Sequence, residues 1–217
     1  MGLGDSMNLF ILHTDPVIAA KYYCDLHVPK LVVECYQMLG SAVRKHGATD
    51  EQMPLTQKKT PLVGGYPNHP VTIWVSMSRD NYRWTIAHAL ALCSEFQKRF
   101  GKEHYCANGI EILNGLEHLI PEKYMADASG GVYQGTGLPI EKTGMTPFAL
   151  AMPDEYRPRG LMLDPVLNWV RVIKSHATGD EAVQAYRRYY HSKTFAEWNK
   201  GRSMPDWFDP EQQVVAA

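Results

Sequence analysis

His27, Lys30, Glu34, Gln37 and Ser41 recur at steps of three and four along Asp25–Arg44. At about 100° per residue that spacing puts them on one face of an α-helix. An imidazole, an ammonium, a carboxylate and an amide are then aligned. A carboxylate one turn from an amine is the raw material of general acid–base chemistry or, with the amine as nucleophile, of imine formation. The same residues also read as a solvated face whose Lys30–Glu34 pair at i,i+4 is worth a few tenths of a kcal/mol. Leu31, Cys35, Met38, Leu39 and Ala42 form the opposite, core-facing stripe.

Four further patches carry polar groups with chemical potential. In Pro67-Asn68-His69-Pro70, proline on both sides restricts the backbone and pushes the preceding residues to extended conformations. His69, with Asn68 beside it, is then either aimed at a phosphate or a proton, or simply bonded to its own backbone. Ser78-Arg79-Asp80 opens a helical pattern, so Arg79 and the amide donors either suit phosphate or simply cap the helix. Asp154, Tyr156 and Arg157 lie in Met152-Pro153-Asp154-Glu155-Tyr156-Arg157, where adjacent carboxylates beside an arginine either organise a site or pair among themselves. The segment 186–217 interleaves Arg187, Arg188, Lys193, Lys200 and Arg202 with seven aromatic rings up to Phe208. Cation plus flat ring suits phosphate clamping and base stacking; rings at helical spacing equally suit a core.

The elements that must position these groups are mostly helical. Asp15-Pro16 reads as N-cap plus first helical residue and opens a helix through Tyr23. Asp25 is placed to cap the next helix, which runs to Lys45-His46-Gly47. Asn8–Leu12 is a strand or a buried arm. Residues 48–70, with four prolines and Gly64-Gly65, form a loop long enough to carry function. Ser78 or Asp80 caps a long helix to Phe100, and a weaker helix ends before Pro121. Residues 126–147 read as an irregular loop insertion. Asp164-Pro165 is expected to open a helix to about Ser175, and Asp180 another through Tyr190. The fold class expected is mostly α: a compact single-domain helical fold over 1–217 with long irregular loops, residues 1–7 being an N-terminal extension.

Composition narrows the classes. With 217 residues, 45% hydrophobic and 21% charged, the chain can bury a real core and does not read as disordered. A net charge of −1 excludes no nucleic-acid role, because the distribution of charge matters more than its sum. No apolar run nears the ~18 residues of a membrane span, and no secretory leader opens the chain, so no membrane partner and a cytoplasmic setting are expected. Cys24, Cys35, Cys93 and Cys106 never form a CxxC pair and read as small buried hydrophobes. None of the nine histidines has metal-ligand spacing. No metal, no cofactor and no protein partner are inferred.

Asp25-Leu26-His27 through Glu34 to Gly40-Ser41-Ala42-Val43 resembles the first helix of the phage pyrimidine-dimer DNA glycosylase/AP-lyase (endonuclease V-like) family, with Asp25, His27, Glu34 and Gly40 at matching positions. Asn68-His69-Pro70-Val71-Thr72 resembles that family's entry into its long helix, and Leu92–Phe100 the end of it. Arg202-Ser203-Met204-Pro205-Asp206-Trp207 is similar to its Arg-Pro-x-Trp element. The likeness covers about half the chain in ordered patches, through a larger phage branch sharing the NHP, TPFA–AMPDEY and AYR–YY blocks. It implies a compact helical phage protein, acting on DNA in the cytoplasm of an infected bacterial host. It also implies nucleotide flipping, attack of an α-amine on C1′, and an imine that undergoes β-elimination. Glu34 would be the carboxylate that stabilises the developing sugar cation and moves protons. Where the family carries arginines near that glutamate, this chain has Val33 and Gln37, and Lys30 offers an alternative amine.

The expectation is therefore a DNA-processing enzyme acting at a base or N-glycosidic bond. Glu34, Lys30 and His27 are the catalytic candidates. Asn68, His69, Arg79, Asp154, Tyr156, Arg157, Arg187 and Arg188 are candidates for holding DNA or substrate. Two alternatives stand beside it: a phage DNA base-modifying enzyme on the same scaffold, with the Asp154–Arg157 block binding a second substrate, and a DNA-binding protein without catalysis.

Overall fold

The computed structural model describes residues 7–124, 132–133, 138–139, 144–164 and 166–213. The N-terminal extension apart from Met7, and most of the expected insertion at 126–147, lie outside the described residues. Helices dominate: α1 Pro16–Tyr22, α2 His27–Lys45, α3 Pro70–Val75, α4 Arg79–Phe100, α5 Ala107–Asn114 and α6 Gly179–His191. Three two-stranded antiparallel pairs join them: β1 Val132–Tyr133 with β2 Leu138–Pro139, β3 Phe148–Ala149 with β6 His176–Ala177, and β4 Arg159–Asp164 with β5 Asn168–Ile173.

Local chemistry accounts for the helix ends. Asp15 accepts from the backbone N–H groups of Val17 and Ile18 ahead of Pro16, satisfying donors that a helix start leaves orphaned. Ser78 does the same for Asn81 at the start of α4, whose far end is closed by Gly101 in the left-handed region. His69 fills the cap position of α3, its Nδ1 accepting from Val71 N at 3.3 Å. Asp25 does not cap α2. Leu26 holds that position without a side-chain bond, and the Asp25 carboxylate is drawn to Arg99 (3.1 Å) and to the backbone N–H of Asn199 (2.6 Å). Thr178, not Asp180, stands at the cap of α6, with Asp180 in its first turn.

The helix expected over 164–175 is a β-hairpin. Asp164 Oδ1 accepts from Val166 N and Leu167 N, the bonding expected of a cap, but here it turns the chain back. Asn168 takes φ +62°, a conformation asparagine tolerates better than most residues. Trp-Val-Arg-Val-Ile then favours strand, with β-branched residues at alternate positions.

The core is one cluster in which α2, carrying Leu31, Cys35, Met38 and Leu39, packs on α4. The arm Asn8–Leu12, expected as strand or buried arm, is a buried arm without strand pairing. Each large side chain so buried, such as Trp74, Tyr82 or Phe10, contributes about 1.5–3 kcal/mol relative to exposure. All four cysteines are free. A charged clamp ties the frame together. The Arg99 side chain is fully buried and donates to the carbonyls of Tyr23 and Lys21 as well as pairing with Asp25 and Glu95, and Arg202 pairs with Glu95 from the C-terminal segment. The connection leading into α2 is thereby fixed to both α4 and the C-terminal segment. No helix among the described residues is long and apolar enough to cross a membrane.

Candidate functional site

Glu34 sits where the N-terminal arm crosses α2. Its Oε2 accepts the backbone N–H of Asn8 at 2.9 Å, and its Oε1 lies 3.4 Å from Lys30 Nζ. The glutamate is buried while Lys30 is about one-third exposed. Burial pushes the Glu34 carboxyl above the ordinary carboxylate value, against the opposing pull of the Asn8 N–H and the Lys30 ammonium. A carboxylate with a raised pKa, touching one amide donor and one amine, is equipped to exchange protons.

The arm also links Glu34 to distant segments. Asn8 Nδ2 donates to Ala151 O at 2.6 Å, and Ala151 N donates in turn to the Tyr186 hydroxyl. The block after Ala151 is thus held beside the arm. In it Asp154 pairs with Arg157 at 3.2 Å, and Arg157 Nε donates to Met152 O. Tyr156 packs on Tyr189 with ring centres 5.1 Å apart, and Tyr189 packs on Phe10 of the arm at 5.7 Å. Arg188 donates to the Tyr156 carbonyl. Lys193 places its ammonium 4.2 Å from the Tyr189 ring centre and 5.6 Å from that of Phe10.

On the other side of the arm, Thr72 donates to Met7 Sδ at 3.6 Å. Thr72 belongs to the wall of a cavity of about 690 Å³ between α2, α3 and the loop 63–68, with Ser41, Lys45, Gly65, Tyr66 and Asn68 also lining it. The loop reaches α2 this closely because of its glycines. A Cβ on Gly64, which has φ +93°, would lie 2.5 Å from Ser41 N, and Ser41 Oγ both donates to Gly65 O and accepts from Gly65 N. A second cavity, about 530 Å³, opens beside Val33 and Gln37, and Lys58 and Lys59 from the loop line it.

Lys30, Glu34 and, through Asn8 and Ala151, the Asp154–Arg157 block with Arg188 therefore come together. Asn68 lies in the wall of the cavity beside Ser41 and Lys45, further along α2 than Glu34. His69 caps α3, and burial draws its pKa below the usual histidine value. His27 lies apart from the open face: it is fully buried, stacked on Phe10 at 5.0 Å, with Nδ1 2.7 Å from the Tyr190 hydroxyl. Arg79 spans to the carbonyls of His118 and Ile120. Arg187 bonds the Leu12 carbonyl and lies over the Tyr22 and Trp207 rings. These last three hold the frame together in this structure. Asn8, Tyr189 and Lys193 join the neighbourhood beyond the residues expected to act; Lys193 and Tyr189 belong to the cation-and-ring pattern of 186–217, and Asn8 to the apolar run that opens the described chain. Among the described residues no group of three or more His, Cys, Asp or Glu is placed to hold a metal ion.

Comparisons of the chain with family models, with curated proteins and with solved structures find no match.

Proposed function

We propose that this protein is a DNA-processing enzyme acting at a base or its N-glycosidic bond through a carboxylate and an amine. One observation carries the reading: a buried carboxylate, Glu34, held by a backbone N–H and facing the Lys30 amine at 3.4 Å, on the helix that further along, at Ser41 and Lys45, lines a cavity of about 690 Å³. In this scheme the amine attacks C1′ of a nucleotide turned out of the duplex. The C1′–N bond breaks and the base departs with a proton relayed by Glu34. Loss of the amine proton and opening of the sugar ring give an imine, from which β-elimination expels the 3′ phosphate. Turning out is cheapest at damaged or mispaired positions. Asn68 and Lys45, in the cavity further along α2, suit phosphates of the strand flanking the extruded nucleotide. Lys58 and Lys59 supply positive charge beside Val33 and Gln37, where the resembled family has arginines.

Borohydride trapping on duplexes bearing an abasic site or a cyclobutane dimer, followed by mass mapping, tests the reading. A covalent adduct on Lys30 or on the N-terminal residue is the expected result. DNA binding without an adduct would overturn the lyase step.

A second reading has its own observation in favour. Asn8 fastens the Ala151 carbonyl beside Glu34, so the Asp154–Arg157 block is held where a second substrate would lie. That arrangement suits a base-modifying enzyme on the same scaffold, recognised by turnover that depends on an added small molecule.

A further inference from the structure

The β4–β5 hairpin exposes more apolar surface than any other segment described. Its register pairs Arg159 with Ile173, Leu161 with Arg171, and Leu163 with Trp169, and directly paired residues share a face with alternate positions along each strand. One face therefore carries Leu161, Leu163, Trp169 and Ile173 together with two arginines, and no carboxylate. All six side chains are exposed, Trp169 at 65%. The other face, which holds Asp164, is for the most part half-covered. At the tip Val166 is 85% and Leu167 68% exposed. A lone two-stranded ribbon gains little stability from its own contacts, and so much exposed apolar surface marks an interaction site.

The root of the hairpin reaches the candidate site. Lys174 N donates to Pro158 O, and Leu150 N to Ser175 O. Below them β3 pairs with β6, and Ala151, one residue past Leu150, is bonded to Asn8 beside Glu34. Six residues per strand extend the ribbon about 20 Å from that root.

Resting on the reading of this protein as a DNA enzyme, we infer that β4–β5 is a DNA-engaging ribbon: Arg159 and Arg171 clamp phosphates while Val166 and Leu167 wedge into a base step. A two-stranded ribbon fits a groove of the duplex, and apolar wedges kink DNA by partly unstacking a step. That distortion serves an enzyme that turns a nucleotide out. A second copy of the chain fits less well. Stacking two such faces gathers four arginines into one apolar layer with no carboxylate, and pairing the strand edges leaves the faces uncovered.

The test uses the full chain and a duplex with 2-aminopurine beside a tetrahydrofuran abasic analogue. The parent is compared with V166S/L167S and R159Q/R171Q, all changes being at exposed side chains. The tip variant is expected to bind yet lose the 2-aminopurine fluorescence rise that reports unstacking. The arginine variant is expected to bind more weakly, its log–log salt slope falling by about 0.9 for each phosphate no longer neutralised. Parent-like affinity, slope and fluorescence in both variants would overturn the ribbon, and an undiminished borohydride adduct in them would leave the enzymatic reading standing. A parent that binds no DNA would overturn both. Loss of concentration-dependent self-association in the tip variant, with DNA binding unchanged, would overturn the ribbon in favour of a second copy.

Discussion

Replacing Glu95 by glutamine should destabilise the whole frame, by an amount set by what each arginine retains. The Glu95 side chain is 6% exposed and the Arg99 side chain 0%, so this is an interior ion pair. Removing one partner of such a pair costs about 3–5 kcal/mol, because a charge is left buried without its counter-charge. Arg99 keeps Asp25 and the carbonyls of Tyr23 and Lys21, and Arg202 is partly exposed. The loss therefore belongs at the low end, about 3 kcal/mol. For a chain of this size that is a fall of roughly 6–12 °C in Tm. Burial alone would raise the Glu95 carboxyl pKa, but Arg202 and Arg99 together outweigh it and hold it below the ordinary 4.5. A depressed acid pKa contributes stability that is present above the unfolded value and lost as pH falls through the folded one. The gap between parent and E95Q should thus be full at pH 7 and shrink as pH is lowered below about 4.5. Thermal unfolding followed by circular dichroism across that range reads both features. A Tm within 2 °C of the parent at pH 7 (under about 1 kcal/mol), or a gap indifferent to pH, would refute the reasoning.

The same geometry gives three further expected outcomes. Gly64→Ala should cost about 1–3 kcal/mol, since φ +93° and a Cβ 2.5 Å from Ser41 N leave alanine neither conformation nor room; denaturant titration measures it. Tyr190→Phe removes the hydroxyl that accepts from Cys24 N and meets His27 Nδ1, and should cost about 1–3 kcal/mol by leaving buried groups unsatisfied; unfolding free energies of variant and parent check this. Glu34→Gln should keep or raise Tm at pH 7, read by the same thermal unfolding. A raised acid pKa means that stability falls as pH rises from the unfolded value through the folded one, so ionised Glu34 is a cost of folding, and glutamine can still accept from Asn8 N.

Two Asp-Pro pairs explain how far sequence alone reaches. Asp15 and Asp164 each accept from the two backbone N–H groups at i+2 and i+3, so their local chemistry is the same. The residues after each proline decide the outcome: Val-Ile-Ala-Ala-Lys continues as α1, whereas Val-Leu-Asn-Trp-Val-Arg-Val-Ile turns at Asn168 and returns as β5. Capping signals mark a reversal of the backbone, and periodicity has to say which kind. The stripe of α2 was legible because burial of Leu31, Cys35, Met38 and Leu39 follows from 3.6-residue spacing. The fate of His27 was not, because its cover comes from Phe10 and from Tyr190, 163 residues away. Arg79 and Arg187 make the same point. Each has the charge to hold a phosphate, yet each is engaged with backbone carbonyls supplied by segments far along the chain. Lys30 and Glu34 were readable as a pair; that the arm would deliver Asn8 and Ala151 to them was not, since those bonds span 26 and 143 residues.

The most direct measurement is single-turnover borohydride trapping of E34Q beside the parent, on an abasic duplex, with DNA affinity measured in parallel. Loss of a catalytic acid–base group should slow adduct formation by about 10²–10⁴-fold while affinity and fold are retained. An E34Q protein that traps DNA at the parent rate would contradict the assignment of Glu34, and with it the carboxylate–amine chemistry proposed for this site.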